Sequence, residues 1–134
     1  SLVPHAGDWQ ARMVVEAERL HCPLVVVQTD QHDGPLPTTH GFIAIEPAAV
    51  ELSAVKKAED RDALLVRVYN PTDAAQSAIL TCGWNVAGAQ LVTLEELPVD
   101  GGTLPVADNR VAFEVGPKKI VTVELTGRCV HTQA

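Results

Sequence analysis

The sequence has few aromatic residues, with only two Trp, one Tyr and two Phe among its 134 residues. Hydrophobic residues nevertheless make up 46% of the chain and charged residues 20%, which is typical of a soluble globular protein and too apolar for disorder. We therefore expect one domain whose core is built from Val, Leu, Ile and Ala. A chain of this length needs neither a disulfide nor a metal ion to hold its fold.

Basic residues are also scarce. Ten Lys and Arg against seventeen Asp and Glu give a formal charge of −7, so the general field repels phosphate backbones and anionic membrane surfaces. The adjacent basic pairs, Lys56-Lys57 and Lys118-Lys119, are typical of solvated faces and do not form a track for phosphates. Nucleic acid is therefore not expected as a partner.

Long hydrophobic runs and paired cysteines are lacking as well. The run Pro23–Val27 is far too short to cross a bilayer, and the N-terminus lacks a signal pattern, so no membrane partner is expected. Cys22, Cys82 and Cys129 are odd in number, far apart and without a CxxC motif. This usage indicates reduced thiols in a cytoplasmic location. The start at Ser1 without an initiator Met raises the expectation that the chain is part of a longer protein.

The first 27 residues are predicted to form a helix and a strand that continue from a preceding domain. Asp8–Cys22 is the helix, with Asp8 as N-cap, an ion pair between Arg12 and Glu16, and Pro23 as the terminator. Leu24–Val27 is predicted to be a buried strand, and the polar residues 28–41 a crossover loop. One helix face carries apolar residues at helical spacing: Trp9, Met13, Val14, Ala17 and Leu20.

From Phe42 onward the hydrophobic pattern alternates with a period of two, and turn residues separate the apolar runs, Asp100-Gly101-Gly102 and Asp108-Asn109 among them. Val66 and Val68 share one face of their strand, whereas Arg67 and Tyr69 point the other way. The predicted fold class is therefore mainly β, an antiparallel β-sandwich over residues 42–126 with one N-terminal α-helix and a tail of residues 127–134. The predicted strands are Phe42–Glu46, Val50–Ala58, Leu64–Asn70, Ser77–Gly83, Gln90–Glu95, Arg110–Val115 and Lys119–Leu125.

Paired carboxylates are the first candidates for chemistry, because glycoside hydrolysis and much acid–base catalysis need two of them. The available clusters are Glu59-Asp60-Arg61-Asp62 and Glu95-Glu96. Both lie at predicted strand ends, where acidic residues serve turns and solubility. We assign them no catalytic role.

The predicted crossover loop contains residue types that bind metals, namely Asp30, His32, Asp33 and His40. Two His with carboxylates can hold a divalent ion, but the spacing matches no template and a polar loop would look similar. No metal site is assigned.

Nucleophile motifs are absent. Cys22 follows His21 directly, but adjacent residues on a helix point in different directions, and Cys82 lies in an apolar strand; for both, the default is a small apolar residue. The sequence contains no GxSxG motif, P-loop or GxGxxG motif, so acyl transfer, phosphoryl transfer and dinucleotide binding have no support. No catalytic residue is assigned.

The segment Pro4–Trp9 is the densest polar and aromatic cluster. His5, Asp8 and Trp9 could bind a sugar through hydrogen bonds and a ring face. The other interpretation is a helix N-terminus, with Gly7 allowing the entry turn, Asp8 capping and Trp9 packed in the core. We favour this second interpretation for Asp8 and Trp9 and leave His5 open, so substrate-binding residues stay unassigned.

A series of motifs, in order, resembles the C-terminal end of family 38 glycoside hydrolases, the α-mannosidases. The resemblance runs from about Leu2 to Leu125. His21 stands where the family often has Asn and Lys118 where an aromatic or apolar residue is common, which puts a family contact in doubt. The matching segments are Pro4–Trp9, Leu20–Leu24, Val50–Asp60, Leu64–Asn70, Leu94–Glu96 and Pro117–Leu125.

The resemblance implies an enzyme that hydrolyses α-mannosidic bonds with retention, using a carboxylate nucleophile, a carboxylic acid/base and a divalent metal, usually zinc. In the family these groups belong to an N-terminal catalytic domain, and none can be placed on this chain. The chain would be the C-terminal β-sandwich, inactive alone, that packs against the catalytic domain and helps to shape the rim of the mannoside site.

The alternative is a free-standing carbohydrate-binding or adhesion-type β-sandwich module. Such modules expose ring platforms, and Trp84 and Tyr69 are the only candidates outside the helix. A domain that belongs to an enzyme should instead expose an apolar patch, most plainly beside the predicted helix at Pro4–Cys22.

Overall fold

The computed structural model describes residues 2–9, 13–31 and 33–128, apart from the side chain of Arg128. The chain divides into two compact units, a leading unit, Ser1–Thr39, and a second unit, His40–Ala134. Each is described by itself below.

Among its described residues the leading unit contains one helix, α1 (Met13–His21). Its last turn is closed by a backbone hydrogen bond from Cys22 N to the Glu18 carbonyl at 2.7 Å, and the His21 ring donates from Nδ1 to the Ala17 carbonyl at 2.8 Å. The helix ends before Pro23, as predicted. Asp8, the predicted N-cap, is described, whereas residues 10–12 lie outside the described residues, and with them Arg12 of the predicted Arg12–Glu16 pair. Glu16 pairs with Arg19 at 2.9 Å.

Two predictions for the leading unit were wrong. Leu24–Val27 belong to no strand, and their side chains are 95, 88, 90 and 78% exposed in chain order. Trp9 is 40% exposed and so is not a core residue. Both predictions failed because a partner is missing among the described residues of this unit. A strand needs a hydrogen-bonded neighbour, and an apolar side chain needs a surface to pack against. The described residues of this unit form no sheet.

The second unit is an antiparallel β-sandwich, which confirms the predicted fold class. One sheet has four strands in the order β1-β4-β8-β7, and the other has five in the order β2-β3-β9-β5-β6. Every pairing between neighbours is antiparallel. The strands are β1 (Ile43–Glu46), β2 (Glu51–Lys57), β3 (Leu64–Tyr69), β4 (Gln76–Cys82), β5 (Asn85–Val92), β6 (Pro98–Leu104), β7 (Val106–Ala107), β8 (Arg110–Val115) and β9 (Ile120–Arg128).

The main core lies between the two sheets. In β3 the inward side chains Val66 and Val68 are fully buried, and Val123 of β9 is paired opposite Val66. The alternation read from the sequence is therefore correct on this face. The buried members of the core are Val50, Val66, Val68, Ala78, Leu80, Cys82, Val86, Ala89, Val111, Phe113, Val115, Val123 and Leu125.

Buried Asn70, 1% exposed, joins two turns at one end of the sandwich. The two hydrogens of its Nδ2 are shared among the carbonyls of Ala74, Val115 and Gly116, which lie at 2.7, 3.1 and 3.0 Å. Its Oδ1 accepts from both the backbone N and the hydroxyl of Thr72, at 2.9 and 2.7 Å. The side chain thus satisfies backbone groups of two loops that are far apart in sequence.

Candidate functional site

The two acidic clusters singled out in the sequence come together on the outer face of the five-stranded sheet. Lys56 Nζ bridges the Glu59 and Glu96 carboxylates at 2.5 and 2.8 Å, and the Glu59 backbone N donates to Glu96 at 2.9 Å. Asp60 and Glu95 are both exposed. The loops after β2 and β5 are therefore held together by one Lys and one Glu.

Arg61 extends this cluster onto strand β9. Its Nε donates to Glu124 at 2.6 Å, a second guanidinium nitrogen contacts the same carboxylate, and Nη2 donates to the Glu96 carbonyl at 2.5 Å. Glu124 is only 3% exposed and also accepts from Gln90 Nε2 at 2.8 Å. We call Lys56, Glu59, Arg61, Gln90, Glu96 and Glu124 the outer-face network.

The electrostatics of this network differ from those of a general acid. The hydrogen bond from Lys56, followed by that from the Glu59 backbone, lowers the pKa of the Glu96 carboxyl. The hydrogen bond to the Glu59 carboxylate, followed by that to Glu96, raises the pKa of Lys56, and the hydrogen bond to Glu124 raises the pKa of Arg61. A catalytic acid needs a carboxyl whose pKa is raised, so the geometry gives Glu96 the role of a fixed anion.

What the network covers is a second, smaller core. Leu65, Ala58, Ala63 and Val92 are buried together on the outer face. Leu65 lies beside Lys56 on β2 and Glu124 on β9 in the sheet register. The network therefore acts as a polar lid over these apolar side chains.

Sequence reasoning assigned no role to Glu124 and did not pair it with Arg61. The signal that could have found them is Leu64-Leu65, two consecutive large apolar residues in a strand that otherwise alternates, which indicates that the outer face is covered as well.

The predicted metal-ligand residues are not gathered by the described structure. Asp30 and Asp33 lie in the exposed part of the leading unit, whereas His40 belongs to the second unit and packs edge-on against Phe42 with ring centroids 4.8 Å apart. His32 lies outside the described residues. Across residues 2–9, 13–31 and 33–128 there is no group of three or more His, Cys, Asp or Glu side chains that could hold a metal ion.

The two described cysteines are free thiols in different environments. Cys22 is exposed at the end of α1, whereas Cys82 is buried in the main core. Burial raises the pKa of Cys82 to about 11, so its reactive thiolate is scarce at neutral pH. Cys129 lies outside the described residues.

The segment Pro4–Trp9 borders a groove in the leading unit of about 390 Å³. His5 lies on its wall and is within 3.3 Å of the Ala6 carbonyl through Nδ1. The other lining side chains are mostly apolar, with Leu2, Met13 and Leu20 among them. Asp8 and Trp9 are not among the lining residues, so the groove does not assemble the His, Asp and Trp of the sequence prediction.

The candidate sugar platforms do not adjoin each other. Tyr69 pairs with Ile120 at one end of β9, whereas Trp84 directly precedes Asn85, which pairs with Arg128 at the other end. The eight residue steps between these ends span about 27 Å. Trp84 is also partly buried against the main core. The two rings therefore form no shared binding surface.

An apolar groove of about 460 Å³ lies at the Trp84 end of the sandwich. We call it the end groove; its walls include Phe42, Val55, Leu64 and Trp84. Phe42 and Val55 are among the exposed large hydrophobic residues. An apolar concavity of this kind is typical of a surface that contacts another protein segment.

The helix face predicted to be apolar is uncovered as well. Met13 and Leu20 are exposed, as are Leu2 and Val15, and no residue of α1 is buried. The described part of the leading unit therefore presents apolar side chains on and beside the helix at its surface.

Comparison with known families decides the identity of the sandwich. A family model described as the "Glycosyl hydrolases family 38 C-terminal beta sandwich domain" matches residues 49–123, from just before β2 into β9. The chain belongs to this family. The match covers more than half of the chain and lies wholly within the second unit, so the resemblance drawn from the sequence motifs is confirmed.

Two curated relatives are similar along nearly the whole chain. "Alpha-mannosidase 2C1" from Homo sapiens is 29% identical over 130 residues, which is 93% of this chain and 12% of the relative. "Putative mannosylglycerate hydrolase" from Halalkalibacterium halodurans is 29% identical over 123 residues, 91% of this chain and 13% of the relative. The chain thus spans about one-eighth of the length of these relatives.

One further finding concerns membranes. Within the described residues, no helix combines the length and the apolar character that crossing a bilayer requires.

Proposed function

We propose that this family 38 C-terminal β-sandwich is the non-catalytic part of an α-mannosidase-type hydrolase that cleaves α-mannosidic bonds with retention. The observation that carries the proposal is the family match over the sandwich itself, together with relatives named for mannoside hydrolysis. The nucleophile, the acid/base and the divalent metal, expected to be zinc, belong to an N-terminal catalytic domain of the same polypeptide. The isolated chain is inactive.

The role of the sandwich in this proposal is to support the catalytic domain and to shape the rim of the mannoside site. Two observations favour it. The carboxylates that could have formed an acid–base pair are tied to Lys56 and Arg61 in the outer-face network. The end groove, in contrast, offers exposed apolar side chains such as Phe42 for packing.

The substrate class is a mannoside. The two relatives are named for different activities, one an α-mannosidase and the other a putative mannosylglycerate hydrolase, so both kinds of substrate belong in the test. The proposed location is the cytoplasm, since the described cysteines are free thiols and free thiols persist in reducing compartments.

The test is an activity comparison between two proteins, the isolated 134-residue chain and the full polypeptide encoded by the gene that contains it. Each is assayed with an aryl α-mannoside, with mannosylglycerate, and with an aryl β-mannoside as the anomeric control. We expect turnover of an α-mannosidic substrate by the full polypeptide and none by the chain. Turnover by the chain would contradict the placement of the active site, and inactivity of the full polypeptide on both α-substrates would contradict the substrate class.

Retention has its own readout. Proton NMR of the first-formed sugar should show the α-anomer before mutarotation, because a double displacement through a glycosyl-enzyme restores the starting configuration. The β-anomer as first product would refute the retaining mechanism and leave the rest of the proposal standing.

A further inference from the structure

The segment Leu24–Val27, which we call the apolar run, is the most exposed hydrophobic stretch of the described chain. Its four side chains are between 78 and 95% exposed, and none of the four residues belongs to a helix or strand. Scattered exposed apolar residues are ordinary, but a contiguous patch of this kind marks a surface that another protein segment covers.

The composition of the apolar run specifies how it is covered. Three consecutive Val residues strongly favour extended backbone. A continuous apolar run, without alternation, is typical of a strand that is buried on both faces. Pro23 has no backbone N–H and ends α1 directly before the run, so an extended segment can begin at Leu24. The sequence of this segment therefore encodes a strand whose hydrogen-bonded neighbour is not among the described residues.

The edges of the sandwich are poor neighbours for it. Edge strand β2 is interrupted by an irregularity between Leu52 and Ala54 and ends in Lys56-Lys57, and edge strand β6 contains Gly101-Gly102. Edge strands β1 and β7 have only four and two residues. Irregularities, lysines, glycines and short lengths are the features that keep sheet edges from adding strands.

The comparisons point to a neighbour elsewhere in the polypeptide. Because the relatives align over 91 and 93% of the chain, the apolar run falls inside both alignments whichever end is left out. The family model of the sandwich, in contrast, begins at residue 49. The segment that holds the run is therefore aligned with proteins about eight times as long as this chain, and it lies outside the range of the sandwich model.

We propose that the apolar run Leu24–Val27 adds as a β-strand to a sheet edge in the catalytic part of the same polypeptide. It thereby forms a main-chain link between that part and the sandwich. The inference rests on the proposed function only in taking the catalytic part as the occupant. Main-chain hydrogen bonds would supply the affinity, and side chains on both faces of the strand would be buried.

Amide hydrogen exchange tests the link directly. Exchange of the Val25, Val26 and Val27 amides is measured in the full polypeptide and in the isolated chain. Because amides in a packed sheet exchange only through opening reactions, we expect exchange slower by about 100-fold or more in the full polypeptide. Equally fast exchange in both proteins would overturn the proposal, and so would protection in the isolated chain that grows with concentration, which would indicate a second copy as the occupant.

Proline substitutions distinguish strand pairing from simple burial. Successive N–H groups of a strand point to opposite sides, so at least one of Val25→Pro and Val26→Pro removes a ladder hydrogen bond. We expect the variant that lacks a ladder hydrogen bond to lose slow amide exchange at the neighbouring residues and to have a lower melting temperature in the full polypeptide. The control Val26→Ile should keep the slow exchange and the melting temperature. Unchanged protection in both proline variants would contradict strand addition.

The outcome is separable from that of the proposed function. Protection without hydrolysis of any α-mannoside would support the strand and refute the enzyme class. Hydrolysis of an α-mannoside by a full polypeptide whose Val25, Val26 and Val27 amides exchange as fast as in the isolated chain would support the enzyme class and refute the strand. A gene product with no residues beyond this chain would refute both.

Discussion

Replacing Asn70 with Ala should cost the sandwich a large part of its stability, because this one buried side chain serves five hydrogen bonds. The contact with the Val115 carbonyl is fully buried, whereas the other four involve groups that are partly accessible to water. An unpaired buried polar group costs about 1–3 kcal/mol, and a hydrogen bond that water can replace costs less. The expected total is about 3 kcal/mol.

The assay is unfolding of the isolated chain followed by circular dichroism. For a domain of this size, about 3 kcal/mol corresponds to a fall in melting temperature of roughly 10–20 °C. A typical domain has about 5–15 kcal/mol of stability, so the variant should still fold. Asn85→Ala is the matched control, since Asn85 is exposed on β5. A fall for Asn70→Ala no larger than that of the control would refute the reasoning.

The variant Asn70→Asp sharpens the same test. It keeps an acceptor for Thr72 but points carboxylate oxygens at three carbonyls, which raises the pKa of the new carboxyl in the folded state. A raised folded pKa means that stability is greatest below the unfolded value of about 3.9 and falls as pH rises through the folded value. Equal destabilisation of this variant, relative to wild type, at pH 4 and pH 7 would contradict this account.

Three further predictions follow from the described geometry. Because the pKa of Glu96 is lowered in the folded state, its contribution to stability is present above the unfolded value, near 4.5, and is lost as pH falls below it; the melting-temperature gap between wild type and Glu96→Gln should therefore close between pH 6 and pH 3. In a variant whose other two cysteines are Ser, Cys82 should react with a thiol reagent at pH 8 only after unfolding, since burial raises its pKa to about 11. Phe42→Ser in the end groove should lower the melting temperature of the full polypeptide by several degrees and leave that of the isolated chain nearly unchanged, because Phe42 is exposed in the chain.

Each of these predictions has a control. Glu95→Gln removes the neighbouring exposed carboxylate, and the difference in melting temperature between this variant and wild type should not change between pH 6 and pH 3. Rapid labelling of Cys82 in the folded protein would contradict its burial. Leu94→Ser removes an exposed apolar side chain that does not line the end groove, and an equal loss in the full polypeptide would argue against docking at the groove.

Much of the sandwich could be predicted because its strands alternate. Arg110–Val115 was predicted with the bounds that the structure has, since Val111, Phe113 and Val115 face inward. The turn at Asp108-Asn109 is also confirmed, and both residues have positive φ values, 51° and 60°, which Asp and Asn tolerate better than most residues. Local pattern and local turn chemistry agree at these positions.

The strands that were missed or shifted are those whose sequence does not favour extended structure. The sequence prediction treated Asp100-Gly101-Gly102 as a turn, but these residues lie within strand β6. Strand β6 is at the edge of its sheet, where Pro and Gly are tolerated. Strand β5 begins at Asn85, whereas the predicted strand began at Gln90. The prediction missed the first half of β5 because that half is rich in small residues and its pairing is irregular between Val86 and Gly88.

The outer-face network could not be predicted because its members come from distant parts of the chain. Lys56 and Glu96 are 40 residues apart, and Arg61 and Glu124 are 63 apart. The pairings of β2 with β3, of β3 with β9 and of β9 with β5 bring them to one face. The strand predicted at Leu24–Val27 failed for a related reason, because local composition favours a strand but cannot supply its neighbour.

The central claim is that this sandwich belongs to a mannoside hydrolase and carries none of its catalytic groups. The most direct measurement is kcat/KM for an aryl α-mannoside, with the full polypeptide and its Glu96→Gln variant assayed well below their melting temperatures. The account predicts measurable hydrolysis by the full polypeptide and a variant value within about twofold of it. Loss of a general acid or base lowers the rate by about 100-fold or more, and a loss of that size in the folded variant, or no hydrolysis by the full polypeptide, would contradict the claim.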